Sequence, residues 1–391
     1  MVRSISVFLV LGLLPVVSSF GAYHPFMKAN NKLFPVYADS GFGFIDSTGK
    51  LVVASQFDEV GRFFSDGLIS VRVGEKWGCI DTTGKLVITP RFDNQFMFSE
   101  GLAAVRIEKK YGFIDLTGEF VLEPQYRGAG FFHDGIARVW NQLGEGWFYI
   151  DKSGKEVLSL VGTNQSRAFS AGLMRVQLDM LGSGLKWGYM DRSGELAIPA
   201  RYDDAEDFSE GLARVMVGEK WGYIDRKGNW FIEPEYHSAT DFSDGFAAVL
   251  AGPGWGYLNK VGKLVVEPVF LTSSGLNNTP SHSFSEGLAS VGTECGYGFI
   301  DTTGAIVIPA RYEFAWGFQR GFATVLLNNK WGYINKSGEL VVQTQYDKAE
   351  GFRGGLAKVT IGNKTGYIDT AGNYVWPLTV EPQKRNPYGR R

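Results

Sequence analysis

From Leu33 onward the chain alternates short apolar runs with tight polar turns, and the alternation itself recurs. In the copy from Gly211 to Tyr236, Leu212-Ala213-Arg214-Val215-Met216-Val217 is a β-rich run closed by the compact turn Gly218-Glu219-Lys220. Trp221-Gly222-Tyr223-Ile224 follows, with two aromatics on one face and a glycine and an aliphatic on the other. A strand apolar on both faces is covered on both faces. A glycine inside it marks close approach by a neighbouring ring or backbone. Asp225-Arg226-Lys227-Gly228 then turns the chain, the aspartate accepting a bond from the backbone two residues on and the glycine supplying positive φ. The third strand, Asn229 to Ile232, is predicted to stop at Glu233-Pro234, because proline cannot extend a ladder. A polar return segment with two anchoring aromatics, through Asp244-Gly245, leads into the next copy.

The pattern occurs ten times, centred on Gly43, Gly78, Gly112, Phe148, Gly188, Gly222, Gly256, Gly298, Gly332 and Gly366. Most spacings are 34 residues, with intervals of 40 and 42 after Phe148 and Gly256. A fixed period in this range means units that bury their apolar surface only against neighbours. After the N-terminal segment, Gly or Pro interrupts almost every window long enough for a helix. The expectation is an all-β tandem array of ten three-stranded meanders spanning 33–376, between a leader at 20–32 and a tail at 377–391. A closed propeller usually has four strands per blade and four to eight blades. Three strands, ten copies and no spare strand for closure therefore predict an open, curved β-solenoid, with a closed propeller-like ring as the alternative.

Variation among copies separates packing from chemistry. The aromatic slot holds Trp77, Trp147, Trp187, Trp221, Trp255 and Trp331, with Phe42, Tyr111 and Tyr297 as substitutes and Thr365 in the last copy. Interchange among aromatics predicts a core slot. The turn acid is Asp81 or Asp225 in typical copies but Asn259 and Asn335 in two, so its role is capping and not acid catalysis; Gly84 and Gly228 are its turn partners. His24, His133, His237 and His282 lack metal-ligand spacing. Gly128-Ala129-Gly130 and Gly182-Ser183-Gly184 precede no helix that could receive a phosphate. No catalytic residue, metal or cofactor is predicted. The longer intervals, around Leu160 to Arg167 or Asp179 to Leu185 and around Leu271 to Ser283, are places where a repeat scaffold can carry binding loops, and they include the sequons at Asn164 and Asn277.

Charge and termini narrow the class. With 39 Lys and Arg against 41 Asp and Glu there is no field to recruit nucleic acid. Arg3, the apolar run Ile5 to Val17 and Val17-Ser18-Ser19 read as a signal peptide over 1–19, which predicts a secreted or periplasmic protein without a membrane span. Cys79 and Cys295 lie six repeats apart and are predicted to stay unpaired.

The run Lys-Trp-Gly-Tyr-Ile-Asp-x-x-Gly, the following Pro-x-Phe/Tyr-Asp and the Phe-Ser-Glu-Gly-Leu-Ala lead-in resemble the bacterial WG (KWG) repeat proteins over Leu33 to Trp376. That resemblance implies a β-repeat array and carries no established catalytic residue or ligand. Phe148 for Gly, Thr365 for Trp and the missing lead-in after the tenth copy depart from it. A weaker likeness to aromatic hairpin repeats of cell-wall-binding modules suggests a glycan role by analogy only. The functional expectation is a non-enzymatic scaffold binding a protein or cell-surface polysaccharide. The alternatives are a hydrolase with a cleft in a closed ring and a purely structural envelope protein. Perturbed carboxylates gathered in one cleft would favour an enzyme, and a contiguous exposed aromatic patch would favour binding.

Overall fold

In a computed structural model the described residues are 33–39, 41–140, 147–159, 169–179, 184–252, 254–271 and 283–380. The signal segment, leader, both sequons, His24, His282 and residues 381–391 lie outside them, and 377–380, expected to begin the tail, instead extend the last strand, Tyr374–Val380. The described residues form ten antiparallel sheets, one per repeat, numbered here as blades 1 to 10 in chain order.

Blade 6 shows why each element forms. Leu212–Val217 pairs with Lys220–Asp225, which pairs with Trp230–Tyr236. The third strand does not stop at Pro234. Trp221 opposes Tyr236 and Tyr223 opposes Ile232, so Glu233 and Pro234 fall in a bulge that takes the missing proline N–H out of the ladder. Gly222 sits opposite this bulge, where an added Cβ would lie 2.6 Å from the Ile232 carbonyl and 2.8 Å from the Pro234 nitrogen. The recurring glycine is therefore required by the backbone of the next strand.

The return segment is a fourth strand, which corrects the three-stranded expectation. Asp204–Ala205 pairs with Met216 and Val215, Glu206 N–H donates to the Arg214 carbonyl, and Ser209 closes against Leu212. Seven sheets have four strands. In blades 5 and 8 the stretch that would supply this strand lies largely outside the described residues, and in blade 1 it would precede Leu33. The hairpin leaving this strand turns on two residues of positive φ, as in Asp66 (48°) and Gly67 (83°), the geometry of a type I′ turn.

These turns join neighbouring blades. Ser99 Oγ donates to the Phe132 carbonyl at 2.6 Å, and Ser209 Oγ to Phe242 at 2.8 Å. In several copies the acid before this glycine accepts the next copy's glycine N–H, Asp66 from Gly101 at 2.8 Å and Glu100 from Gly135 at 2.9 Å. Equivalent points of adjacent blades thus touch directly along the return-segment edge, which places that edge toward the axis of the array. A second set of carboxylates ties the other hairpins. Asp93 takes the Lys76 ammonium of blade 2 at 2.5 Å and the Glu108 N–H of blade 3 at 3.0 Å, and Asp347 does the same between blades 9 and 10. His237 stands in this place between blades 6 and 7, its Nε2 2.8 Å from Lys220 Nζ.

The array closes on itself, so the open solenoid is overturned. Phe34, Val36 and Ile45 of blade 1 pack with Leu356 and Tyr367 of blade 10, the Phe34 and Tyr367 rings meeting edge-on at 5.7 Å. A Cβ on Gly49 would strike the Val375 backbone, where one on Gly84 would strike the Val53 side chain and one on Gly372 would come within 3.2 Å of Val342, so the seam sets the turn glycine against the third strand as inside the array, one residue earlier along that strand. The Arg353 guanidinium lies 4.4 Å over the Phe63 ring across the start of the chain. No exchanged strand is needed, because the faces that meet here are those that meet at other blade interfaces. The architecture is an all-β ring of ten blades, propeller-like, without a helix among the described residues.

Two expectations for stability follow. Asp225 Oδ1 accepts the N–H groups of Lys227 at 2.8 Å and Asn229 at 2.9 Å, while Asn259 Oδ1 accepts its two at 3.1 and 3.0 Å. Asp225→Asn is therefore expected to be nearly silent. Gly228→Ala is expected to cost about 1 kcal/mol or more, because φ is 80° and the new methyl would lie 3.0 Å from Ile198 of blade 5. Urea denaturation of both variants checks this, and equal losses would mean that the carboxylate charge matters.

The second expectation concerns acid. The bond from Lys76 holds the Asp93 carboxyl below its ordinary 3.8, the Lys186 bond does so at Asp203, and the Gly362 N–H followed by Lys330 does so at Asp347. A carboxyl depressed by folding adds stability above its unfolded pKa, and this is lost as pH falls through the lower folded value. The urea midpoint is thus expected to fall between about pH 4 and about pH 2 at constant ionic strength. An unchanged midpoint across that interval would show that these ties contribute nothing.

Candidate functional site

The predicted slot residues sit in one row of the second strands. Trp77, Trp187 and Trp255 are buried, whereas Trp147, Trp221 and Trp331 are only half-buried. Arginines of the preceding strand lie over three of the rings, buried and half-buried alike. Arg138 is 4.3 Å from the Trp147 centroid, Arg175 is 5.3 Å from that of Trp187 and Arg214 is 4.8 Å from that of Trp221. Asp81 and Gly84 form the turn that the sequence predicts, with Asp81 Oδ1 taking Thr83 N–H at 2.8 Å and Gly84 at a φ of 88°. Both free cysteines are unpaired, Cys79 buried with its thiol pushed up by burial and Cys295 exposed. Among the described residues no group of three or more His, Cys, Asp or Glu converges to hold a metal ion.

One ionic cluster stands out, and sequence reasoning missed it. Arg175, almost fully buried, reaches Glu206 at 2.7 Å, Asp207 at 3.1 Å and the Ala205 carbonyl of the next blade. Arg214 continues the chain to Asp241 at 2.8 Å, the Ala239 carbonyl at 2.6 Å and Glu206 at 3.6 Å. Burial pushes the Glu206 carboxyl up, against the pull of Arg175 and Arg214. Each acid here faces an arginine, and each guanidinium also reaches a backbone carbonyl of the following blade. Ser290 Oγ makes the corresponding carbonyl bond at 2.9 Å in blade 8. The cluster is an enlarged form of a bond between blades. Its signal was a lone basic residue in an apolar run, at a position holding Ser70, Ala104, Ala248, Ser290 and Thr324 in other copies.

The second group is aromatic and exposed. Phe314–Ala315 forms the edge strand of blade 9, with Phe314 opposite Leu326 and Leu326 opposite Trp331, so Phe314 and Trp331 share a row. Trp316 follows, fixed by its N–H to the Thr324 carbonyl at 3.0 Å, and its side chain is 45% exposed. Phe314 lies 5.0 Å from Trp316 and 6.1 Å from Trp331, both edge-on, and 5.1 Å from Tyr297 of blade 8. Four rings thus form one surface where two blades meet. Other copies put Glu59, Asp204, Ser238 and Lys348 in the place of Phe314, and Glu206, Thr240 and Glu350 in that of Trp316. The signal in the sequence was two aromatics in a segment that is polar in most other copies, the buried Phe96 of blade 3 standing in the place of Trp316. A smaller pair, the exposed Trp140 with Trp147, lies on blade 4, half a turn around the ring, and there Arg138 covers Trp147.

Comparison with known proteins places the chain. No helix among the described residues is long and apolar enough to cross a membrane. No curated protein sequence matches. A eukaryotic initiation factor of known structure is similar over 90% of this chain and 97% of its own, with TM-score 0.53 at 9% identity, a likeness of fold alone. Hsv2p of Kluyveromyces lactis (TM-score 0.34, 11% identity, 58% of this chain and 89% of that one) is a slighter likeness. So is the extracellular domain of a hybrid two-component system from B. thetaiotaomicron (TM-score 0.26, 10% identity, 90% and 65%). Neither of these carries structural weight. The family model described as WG containing repeat matches residues 42–77, 77–111, 111–139, 187–221, 221–252, 255–270, 297–331 and 331–364, well over half of the chain. With its repeats arranged as blades of one closed ring, the chain belongs to the WG-repeat family.

Proposed function

We propose that this ring is an exported, non-catalytic scaffold that holds a macromolecular partner on the aromatic surface where blades 8 and 9 meet. The observation that carries the reading is the exposure of Trp316 within a cluster of four rings. An indole left in water forgoes the stabilisation of burial, and rigid aromatics on a surface are the usual anchors of interfaces. The Arg175 and Arg214 cluster supports a scaffold over an enzyme, because its acids are engaged in holding blades together. Export rests on the N-terminal apolar run, and recovery of the protein outside the cytoplasm with Phe20 at its N-terminus is the expected outcome.

Binding is tested with the immobilised protein and envelope and extracellular material of the producing cells. Trp316→Ala is expected to weaken retention of a specific macromolecule by about thirtyfold, the scale of an anchor loss of roughly 2 kcal/mol. Equal retention by both rings would remove Trp316 as the binding surface.

A further inference from the structure

We infer that the surface at Trp316 recognises the apolar face of a pyranose, so that the partner is a polysaccharide; this rests on the binding role proposed above. The first argument is what lies over the rings. In blades 4, 5 and 6 the residue after Ala137, Met174 or Ala213, in the strand before the slot aromatic, is Arg138, Arg175 or Arg214, and each guanidinium lies over the slot aromatic of its own blade. In blades 8 and 9 the same residue is Ser290 or Thr324, too short to reach over a ring. Tyr297 and Trp331 therefore lack the cation that this position supplies in blades 4, 5 and 6; Trp77 and Trp255 lack it too, but they are buried and present no face to solvent. The face of an aromatic ring is electronegative, and with no guanidinium placed there it suits the weakly positive C–H groups of a sugar face.

The second argument is the rim. Glu313, Glu294, Asn328 and Asn329 are exposed beside the rings, and they are carboxylates and amides that accept or donate to hydroxyls. Glu313 already accepts the Asn329 N–H at 3.1 Å, which fixes its position beside Phe314. The rings thus form a small apolar island with a polar border. A protein partner buries about 800 Å² on each side, with an apolar centre to match. A pyranose presents one flat C–H face bordered by hydroxyls, which fits the island and its rim together.

Cys295 supplies a reporter, because it is exposed two residues from Tyr297 while Cys79 is buried. A fluorophore sensitive to its surroundings is attached there on the intact ring, which is then titrated with cellohexaose, chitohexaose and mannohexaose. At least one is expected to give a saturable change. Trp316→Ala is expected to weaken that response tenfold or more, Trp316→Phe to keep part of it, and Trp140→Ala on blade 4 to leave it unchanged. Circular dichroism of each variant confirms that the ring is intact. No response to any of the three at millimolar concentration, or a response untouched by Trp316→Ala, overturns the inference. If a purified protein partner binds through Trp316 while no sugar does, the binding role stands and the polysaccharide assignment falls. If neither sugar nor protein depends on Trp316, both fall.

Discussion

A chain lacking Tyr189 through Gly256 is expected to be unfolded or aggregated by size-exclusion chromatography and circular dichroism. The deletion removes two whole periods and joins equivalent points, so in an open stack every new contact would copy an old one and the shorter chain would fold. In the ring it must change the angle at every interface. Those interfaces are close-packed, with the turn glycine of one blade against the third strand of the previous one, as in Gly84 on Val53, Gly228 on Ile198 and Gly338 on Ile308. Packing of this density tolerates little change of angle. The paired turns that bond Ser99 to Phe132 and Glu100 to Gly135 also fix the approach of the return segments. A soluble, monomeric product with a cooperative transition would show that the interfaces flex enough to make a smaller ring, and the geometric argument would fail.

Trp255→Ala is expected to cost roughly 3 to 5 kcal/mol, the largest loss of any single slot residue. Trp255 is 1% exposed and packs in a cluster with Tyr257, Val266, Phe270 and Phe284. Its indole N–H is buried without a hydrogen-bond partner. Trp255→Phe is therefore expected to cost much less than alanine, because it keeps a ring and removes an unsatisfied donor. Trp221→Ala is expected to cost about 1 to 3 kcal/mol, since that ring is half-buried and shares its surface with the Arg214 guanidinium. Chemical denaturation of the three variants checks the order. A Trp221 loss equal to that of Trp255 would mean that the slot is uniform and that partial exposure does not weaken it.

The period, the second and third strands and the turn chemistry were legible because each is written locally. Asp225 and Gly228 announce a turn, and Gly222 announces close approach. The fourth strand was hidden for a physical reason. Asp203 to Ser209 is polar because its carboxylates serve neighbouring blades, and its bulge breaks the period-two pattern. Its type I′ turn reads as Asp-Gly at Asp66, Asp134 and Asp244, but Glu100, Glu210 and Glu286 adopt the same positive φ and mask the signal. They hold that conformation while accepting N–H groups of the next blade, as Glu286 does from Gly321 at 3.0 Å.

Closure was not legible at all. It depends on the angle between blades, which is set by side chains packed across each interface and has no period in the sequence. The candidate site was legible only in part. The slot tryptophans were read as uniformly buried, but Trp147, Trp221 and Trp331 are half-buried, and what covers each ring differs from blade to blade, as where Arg214 lies over Trp221 while Thr324 holds the equivalent position beside Trp331. Trp316 lies outside every repeated motif, so a reading built on what recurs passes over it.

The closed ring is tested most directly by a distance across the seam. Spin labels are placed at Lys50→Cys and Tyr374→Cys with Cys295 replaced by serine, and a reference pair at Lys85→Cys and Leu51→Cys reports the same relation between blades 1 and 2. All four positions are exposed. Gly49 meets Val375 at the seam and Gly84 meets Val53 within the array, so a turn lies against the third strand of the preceding blade in both. The two pairs are expected to give the same distance distribution by pulsed electron spin resonance. A seam distance much longer than the reference, on the scale of the whole array, would contradict closure.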